Sequence, residues 1–272
     1  MNSYMSGAQL KQKAKSQLYG RLGTVIGAFL LHFTALLVLE YFLGSVNTNY
    51  VLGIVIYFVA SLIIDLFMSI FSAGECYIYL NVCTGNEAAV SDIFYGFKGF
   101  AGKTILIRFV PVLVMTLAQI PAYLVMQLFS SVAPSTDEML IMLQSGDVDT
   151  LMKTSEELFP ITSLYLILLL FQVVITLAMD VIFSQTLFLM VDYPDYSVID
   201  ILKYSVKILK GNWGRYLYVK LSFIPWYILG FATCYISYVW SFPYQRATMA
   251  DFYLELMKNY NKDGNTPDGY NN

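Results

Sequence analysis

What this sequence lacks narrows it first. Only 13% of its 272 residues are charged, about half the share usual in a water-soluble domain. The residues that most often bind metals or attack electrophiles are nearly missing too, with one histidine and three cysteines in the whole chain. A single histidine, His32, excludes a histidine dyad or a His-rich metal site within one chain. It reads as a side chain that hydrogen-bonds between helices. Cys76, Cys83 and Cys234 are odd in number and lack paired spacing, so neither a disulfide framework nor a zinc site is expected, and they read as small packing residues. The chain has no Walker-type loop, dinucleotide fingerprint, His-Glu-x-x-His helix or nucleophile elbow. An intramembrane aspartyl enzyme would need two facing aspartates, and no local motif around Asp65 or Asp180 supports one. The expectation is a non-enzyme with no catalytic residue, cofactor or metal, and with no nucleic-acid partner.

What the sequence has in quantity is apolar surface: 57% hydrophobic residues and a mean hydropathy of +0.60. These residues gather in runs long enough for a helix rising 1.5 Å per residue to cross about 30 Å of hydrocarbon. Four spans follow, over 22–46, 52–80, 104–130 and 161–190. The first run comes after a polar stretch and has no small-x-small cleavage site, so it reads as a retained helix. The apolar stretch 215–256 reads either as one long span or as two, 215–231 and 234–256.

Charge sets the orientation. Positive residues cluster at Lys11, Lys13, Lys15 and Arg21, at Lys98, Lys103 and Arg108, at Lys203, Lys207, Lys210 and Arg215, and at Arg246, Lys258 and Lys262. Between the third and fourth spans the sign reverses, with Asp137, Glu138, Asp147, Asp149, Glu156 and Glu157 against Lys153 alone. The positive-inside rule then puts the amino terminus in the cytoplasm and residues 131–160 outside. In that insert Ser135, with Glu138 three residues later, precedes an apolar set of Met139, Leu140, Met142 and Leu143, and Gly146 breaks the pattern, so two short helices are expected.

A basic, partly amphipathic segment leads through glycine into a span three times, at 11–23, 93–102 and 203–214. Each opens a hairpin, which favours six spans with both termini inside; five remain the alternative. Within the third segment, 198–210 is capped by Ser197 and sets Lys203, Lys207 and Lys210 against an apolar face of Ile199, Leu202, Val206 and Leu209. That pattern fits a helix in the headgroup plane touching inner-leaflet lipid. The fold class is an all-α polytopic bundle over 1–258, followed by a disordered tail, 259–272, rich in Asn, Asp and Gly.

Charges inside spans carry the functional question, since each costs about 2.5–3.5 kcal/mol at mid-bilayer. Asp65, Asp180, Glu75 and Arg246 are the candidates. Asp65, Asp180 and Arg246 could converge between repeats as a polar site for a proton, an ion or a headgroup. Otherwise they form a structural ion pair, with Glu75, Arg108 and Lys220 snorkelling to the inner interface.

Further residues carry a resemblance. Ser205, Lys210-Gly211-Asn212, Gly214, Leu221-Ser222-Phe223, Trp226, Pro243-Tyr244, Ala247 and Phe252-Tyr253, with Phe97-Lys98-Gly99 earlier, resemble a Gram-positive bacterial membrane family called domain of unknown function 975. The sequence departs from it where the family commonly has a glycine-rich turn, here Ala232-Thr233-Cys234-Tyr235, and the insert 131–160 lies outside the matching parts. The resemblance implies a helical bundle in the bacterial plasma membrane and supplies no activity, substrate or site residue. Two functions are carried forward: a transporter-like protein handling lipid or a small solute, and a non-catalytic accessory subunit binding another membrane protein.

Overall fold

The structure is a computed structural model that describes residues 4–146 and 148–262. Asp147 and most of the expected tail therefore lie outside the described residues, while 259–262 continue a helix. Among the described residues every regular element is helical: α1 (Gly7–Leu18), α2 (Leu22–Gly44), α3 (Val51–Thr84), a 3₁₀ segment (Val90–Phe97), α4 (Ala101–Val132), α5 (Thr136–Ser145), α6 (Val148–Ile182), α7 (Thr186–Asp192), α8 (Val198–Leu209), α9 (Trp213–Leu221), α10 (Ile224–Ala232) and α11 (Tyr238–Lys262). Four helical stretches, 22–44, 51–84, 101–132 and 148–192, are long and apolar enough to cross a membrane. The chain falls into two compact units, residues 1–112 with 181–272, and residues 113–180.

In the first unit the short helices are set by caps and glycines. Ser6 and Gln9 form a reciprocal capping box at the start of α1, and Ser197 accepts from the Asp200 N–H at the start of α8, satisfying amides that a helix end leaves without partners. α1, the 3₁₀ segment and α8 are each followed by a left-handed glycine: Gly20 (φ 79°), Gly99 (φ 96°) and Gly211 (φ 84°). In all three the glycine is the second residue past the short helix and the second before the next one. A Cβ would be strained at that φ, which is why glycine holds each corner.

The core of this unit lies along the second half of α3, from Met68 to Cys83. The 3₁₀ segment packs against it backbone to backbone. A Cβ on Gly74 would sit 1.9 Å from the Ile93 carbonyl oxygen, and one on Gly96 would sit 2.4 Å from the Ile70 carbonyl oxygen. α1 contributes the stripe Leu10, Ala14 and Leu18, and lies against α11 and α3. Arg21 then closes the end of α3, donating to the carbonyls of Val82, Gly85 and Asn86 at 2.9–3.1 Å. Carbonyls at a helix end lack intrahelical partners, and a basic side chain there supplies donors.

α8 corrects the expected face. Ile201, Ser205, Ile208 and Leu209 are the buried residues, while Ile199 and Val206 are exposed and Leu202 is partly buried. The helix docks on protein, against α7 and α11, and its remaining apolar residues face outward beside Lys203, Lys207 and Lys210, which are exposed.

The region 215–256 also departs from the expected pair of spans. Pro225, in the first turn of α10, has no N–H to continue the helix from α9, so the chain breaks at Ser222–Phe223. α10 has nine residues, about 13.5 Å of helix against about 30 Å of hydrocarbon. After it the chain reverses tightly through Cys234 (φ 49°) and Tyr235 (φ 69°), both left-handed without being glycine.

In the second unit, Ser135 and Glu138 form a capping box on α5, and Gly146 (φ 64°) ends it. The other expected short helix does not end before the fourth span, because α6 runs unbroken from Val148 through Pro160. Most of its apolar residues between Leu164 and Val174 are exposed, as a lipid-facing surface requires.

Candidate functional site

α11 is the polar hub of the first unit. From Ser241 to Asn259 most of its residues are buried, and four of its side chains, Arg246, Asp251, Tyr253 and Glu255, reach four different helices. The Asp251 carboxylate, with no exposed surface, takes the Lys13 ammonium of α1 at 2.6 Å. Tyr253 Oη donates to Asp192 Oδ2 of α7 at 2.8 Å. Glu255 accepts from Arg215 of α9 and from the Met5 N–H. Arg215 is clasped further, donating to the Met5 carbonyl at 2.7 Å and lying 4.9 Å from the ring centres of Tyr4 and Phe252. Burial raises the Asp251 carboxyl above its ordinary value, and Lys13 and Gln17 pull it part of the way back.

The fourth contact forms the candidate site. Glu75, in α3, is 4% exposed, and its carboxylate lies between a histidine and an arginine from other helices. His32 Nδ1 of α2 is 2.8 Å from Glu75 Oε1, and Arg246 Nε of α11 is 3.7 Å from Glu75 Oε2. The first is a hydrogen bond; the second is an ion pair too long to be one. The His32 ring also packs on Phe71, centre to centre at 5.9 Å. His32 lies roughly ten residues into α2, about 15 Å along a helix long and apolar enough to cross about 30 Å of hydrocarbon. The Arg246 side chain is 49% exposed, against 15% for His32. The site thus joins an enclosed acid and histidine to a cation in contact with the surroundings.

Arg246 reaches Glu75, which is enclosed by protein rather than snorkelling. Asp65 is half-buried on α3, with Glu40 and Arg108 as its charged neighbours. Asp180 closes the second unit, near the end of α6. Among the described residues no group of three or more His, Cys, Asp or Glu side chains is placed to hold a metal.

The family model described as "Protein of unknown function (DUF975)" matches residues 5–260. The chain belongs to the DUF975 family. No curated protein and no solved structure matches it. The DUF975 match takes in every helix that meets α11 and also the insert 131–160, which the sequence resemblance had left outside.

Two of the ion pairs in this DUF975 chain were not foreseen. Lys13 and Arg215 stood out in the sequence only as topology signals, and Asp251 and Glu255 were not singled out at all. Each pair joins residues distant along the chain, and nothing local in one sequence marks such a contact. Burial of α11 was the available clue, since Ala247, Phe252 and Tyr253 already stood out in the resemblance.

Proposed function

We propose that this DUF975 protein is a proton-responsive, transporter-like protein of the bacterial plasma membrane that handles a small solute or a lipid. Glu75 and His32 hold the exchangeable proton, and Arg246 is their movable counter-charge. The observation that carries this reading is the Glu75 carboxylate, 4% exposed within a membrane-spanning helix and hydrogen-bonded to the chain's one histidine. An intramembrane ionisable pair is costly and marks a functional site by default, and histidine is the side chain that exchanges protons near neutral pH.

One carboxylate faces both an imidazole and a guanidinium. With His32 charged, Glu75 is neutralised through its 2.8 Å hydrogen bond and Arg246 is released towards its exposed side. With His32 neutral, Glu75 draws Arg246 in from 3.7 Å. Proton exchange thereby shifts α11 relative to α2 and α3, and α11 carries the contacts to α1, α7 and α9 with it. A two-position element biased by a proton is the minimum a coupled transporter requires.

Both termini lie in the cytoplasm on this reading. The three corners, each a short helix, a left-handed glycine and a following helix, support an internal threefold repeat in which the helix after the third corner is cut short at Ser222. In the third, the short α10 and the start of α11 dip into the inner half of the bilayer and return, in place of full fifth and sixth spans. Lys203, Lys207 and Lys210 face the inner leaflet, where anionic lipid attracts them.

Proteoliposomes with a trapped pH dye test the proposal. A pH step should produce proton uptake that Glu75→Gln abolishes and Asp65→Asn leaves in place. Equal uptake in wild type and Glu75→Gln contradicts it. A second reading, an accessory subunit without transport, draws on α5, where Leu140, Ile141 and Leu143 are exposed and no residue is buried. Co-purification of a stoichiometric membrane partner through the 131–160 insert, without proton uptake, favours that reading.

A further inference from the structure

At the corner where α1 turns into α2, a cavity of about 220 Å³ opens between that corner and the α10–α11 hairpin. Its wall is aromatic and carries one charge: Lys15 and Tyr19 on one side, Trp226, Trp240 and Tyr244 on the other, with Leu22 at the start of the first span. Two of the chain's three tryptophans are here. We propose that this cavity binds the headgroup and glycerol region of a phospholipid whose headgroup is net negative.

Depth is the first argument. α1 is polar and α2 is an apolar span, so their junction at Gly20 is the level at which the chain enters the membrane, and Trp and Tyr prefer that level. Charge is the second. The neighbouring lysines are engaged: Lys13 pairs with Asp251 at 2.6 Å, and Lys11 donates to the Ser222 carbonyl at 3.0 Å and lies over the Phe223 ring. Lys15 is exposed, and among the described residues no carboxylate pairs with it. The wall contains no acidic residue. A phosphate is the anion available at this depth, and a lysine stem reaches it while its methylenes stay on apolar surface. The indole N–H groups of Trp226 and Trp240 add neutral donors suited to ester oxygens.

Size is the third argument. A volume of about 220 Å³ is below the 300–1,000 Å³ of pockets that enclose a whole small molecule. It admits the phosphate and glycerol and leaves the acyl chains in the bilayer. A quaternary-ammonium headgroup fits less well, because Lys15 repels it. The inference does not depend on Glu75, which lies outside this wall.

The test uses the full chain in nanodiscs with acyl-matched phosphatidylglycerol and phosphatidylcholine, followed by native mass spectrometry of retained lipid. Brominated chains of each lipid report proximity through quenching of Trp226 and Trp240 fluorescence. Wild type should retain phosphatidylglycerol at least fivefold over phosphatidylcholine, Lys15→Gln should bring that ratio close to one, and Lys15→Arg should restore it. Glu75→Gln should leave the ratio unchanged. Equal retention of the two lipids by wild type, unchanged selectivity in Lys15→Gln, or displacement of the lipid by soluble glycerol phosphate overturns the proposal.

Discussion

Lys13 and Asp251 form a 2.6 Å ion pair in which the carboxylate has no exposed surface and the lysine side chain keeps 40% of its own. Burial raises the Asp251 carboxyl despite this partner, so the folded protein holds that proton more tightly than the unfolded chain. Its contribution to stability is therefore fully present at pH below the ordinary value of 3.8 and is lost as pH rises through the raised folded value. Asp251→Asn should flatten this slope. Because Lys13 can return to water, the variant should cost within about 1 kcal/mol at pH 7. Unfolding temperatures from pH 4 to 8 check both points.

Removing either partner from Glu75 should have unequal consequences. His32→Ala strips the hydrogen bond from a carboxylate with almost no solvent contact and should cost about 3 kcal/mol. Arg246→Gln removes a half-exposed side chain 3.7 Å away and should cost about 1 kcal/mol. Thermal unfolding of the two variants in one detergent gives the order, and the reverse order contradicts the geometry.

The contact between α3 and the 3₁₀ segment leaves no room for a methyl group. Gly74→Ala would push against the Ile93 backbone at 1.9 Å and should cost about 3 kcal/mol. Gly102→Ala, with nothing within 4 Å, should be neutral or stabilise by up to about 1 kcal/mol through helix propensity. Accumulation and unfolding temperature separate the two.

The α10–α11 reversal places Cys234 at φ 49°, a conformation that costs an L-residue about 1–2 kcal/mol. Cys234→Gly should stabilise by about 1 kcal/mol. Tyr235→Gly should gain less, since it gives up the ring contact with Tyr238 at 5.5 Å.

This reversal also shows how far the sequence could be read. The sequence departs from the family's glycine-rich turn at Ala232-Thr233-Cys234-Tyr235, yet the chain turns tightly there by accepting left-handed geometry at Cys234 and Tyr235 themselves. Long apolar runs announced four spans because span length and composition are local properties. The glycine-led segments were visible for the same reason, although the left-handed turns at Gly20, Gly99 and Gly211 were not marked out within them. The site was legible only in part: Glu75 and Arg246 stood out as charges in apolar surroundings, and His32 as a polar side chain between helices. Their meeting depends on how α2, α3 and α11 pack, and a single sequence carries no signal of that. On α8 the sequence sorted residues by polarity, whereas the structure buries Ser205 and exposes Ile199, because a helix beside a membrane has two apolar environments to face.

The account rests on a proton exchanging at Glu75 and His32, and infrared difference spectroscopy of the reconstituted protein measures this most directly. Between pH 5 and 8 the wild type should show a change in the histidine ring modes together with a shift of a carboxylate band. Both should vanish in Glu75→Gln and His32→Ala and persist in Asp65→Asn. A wild-type spectrum without these changes across that range, or one that Glu75→Gln reproduces, would contradict the account.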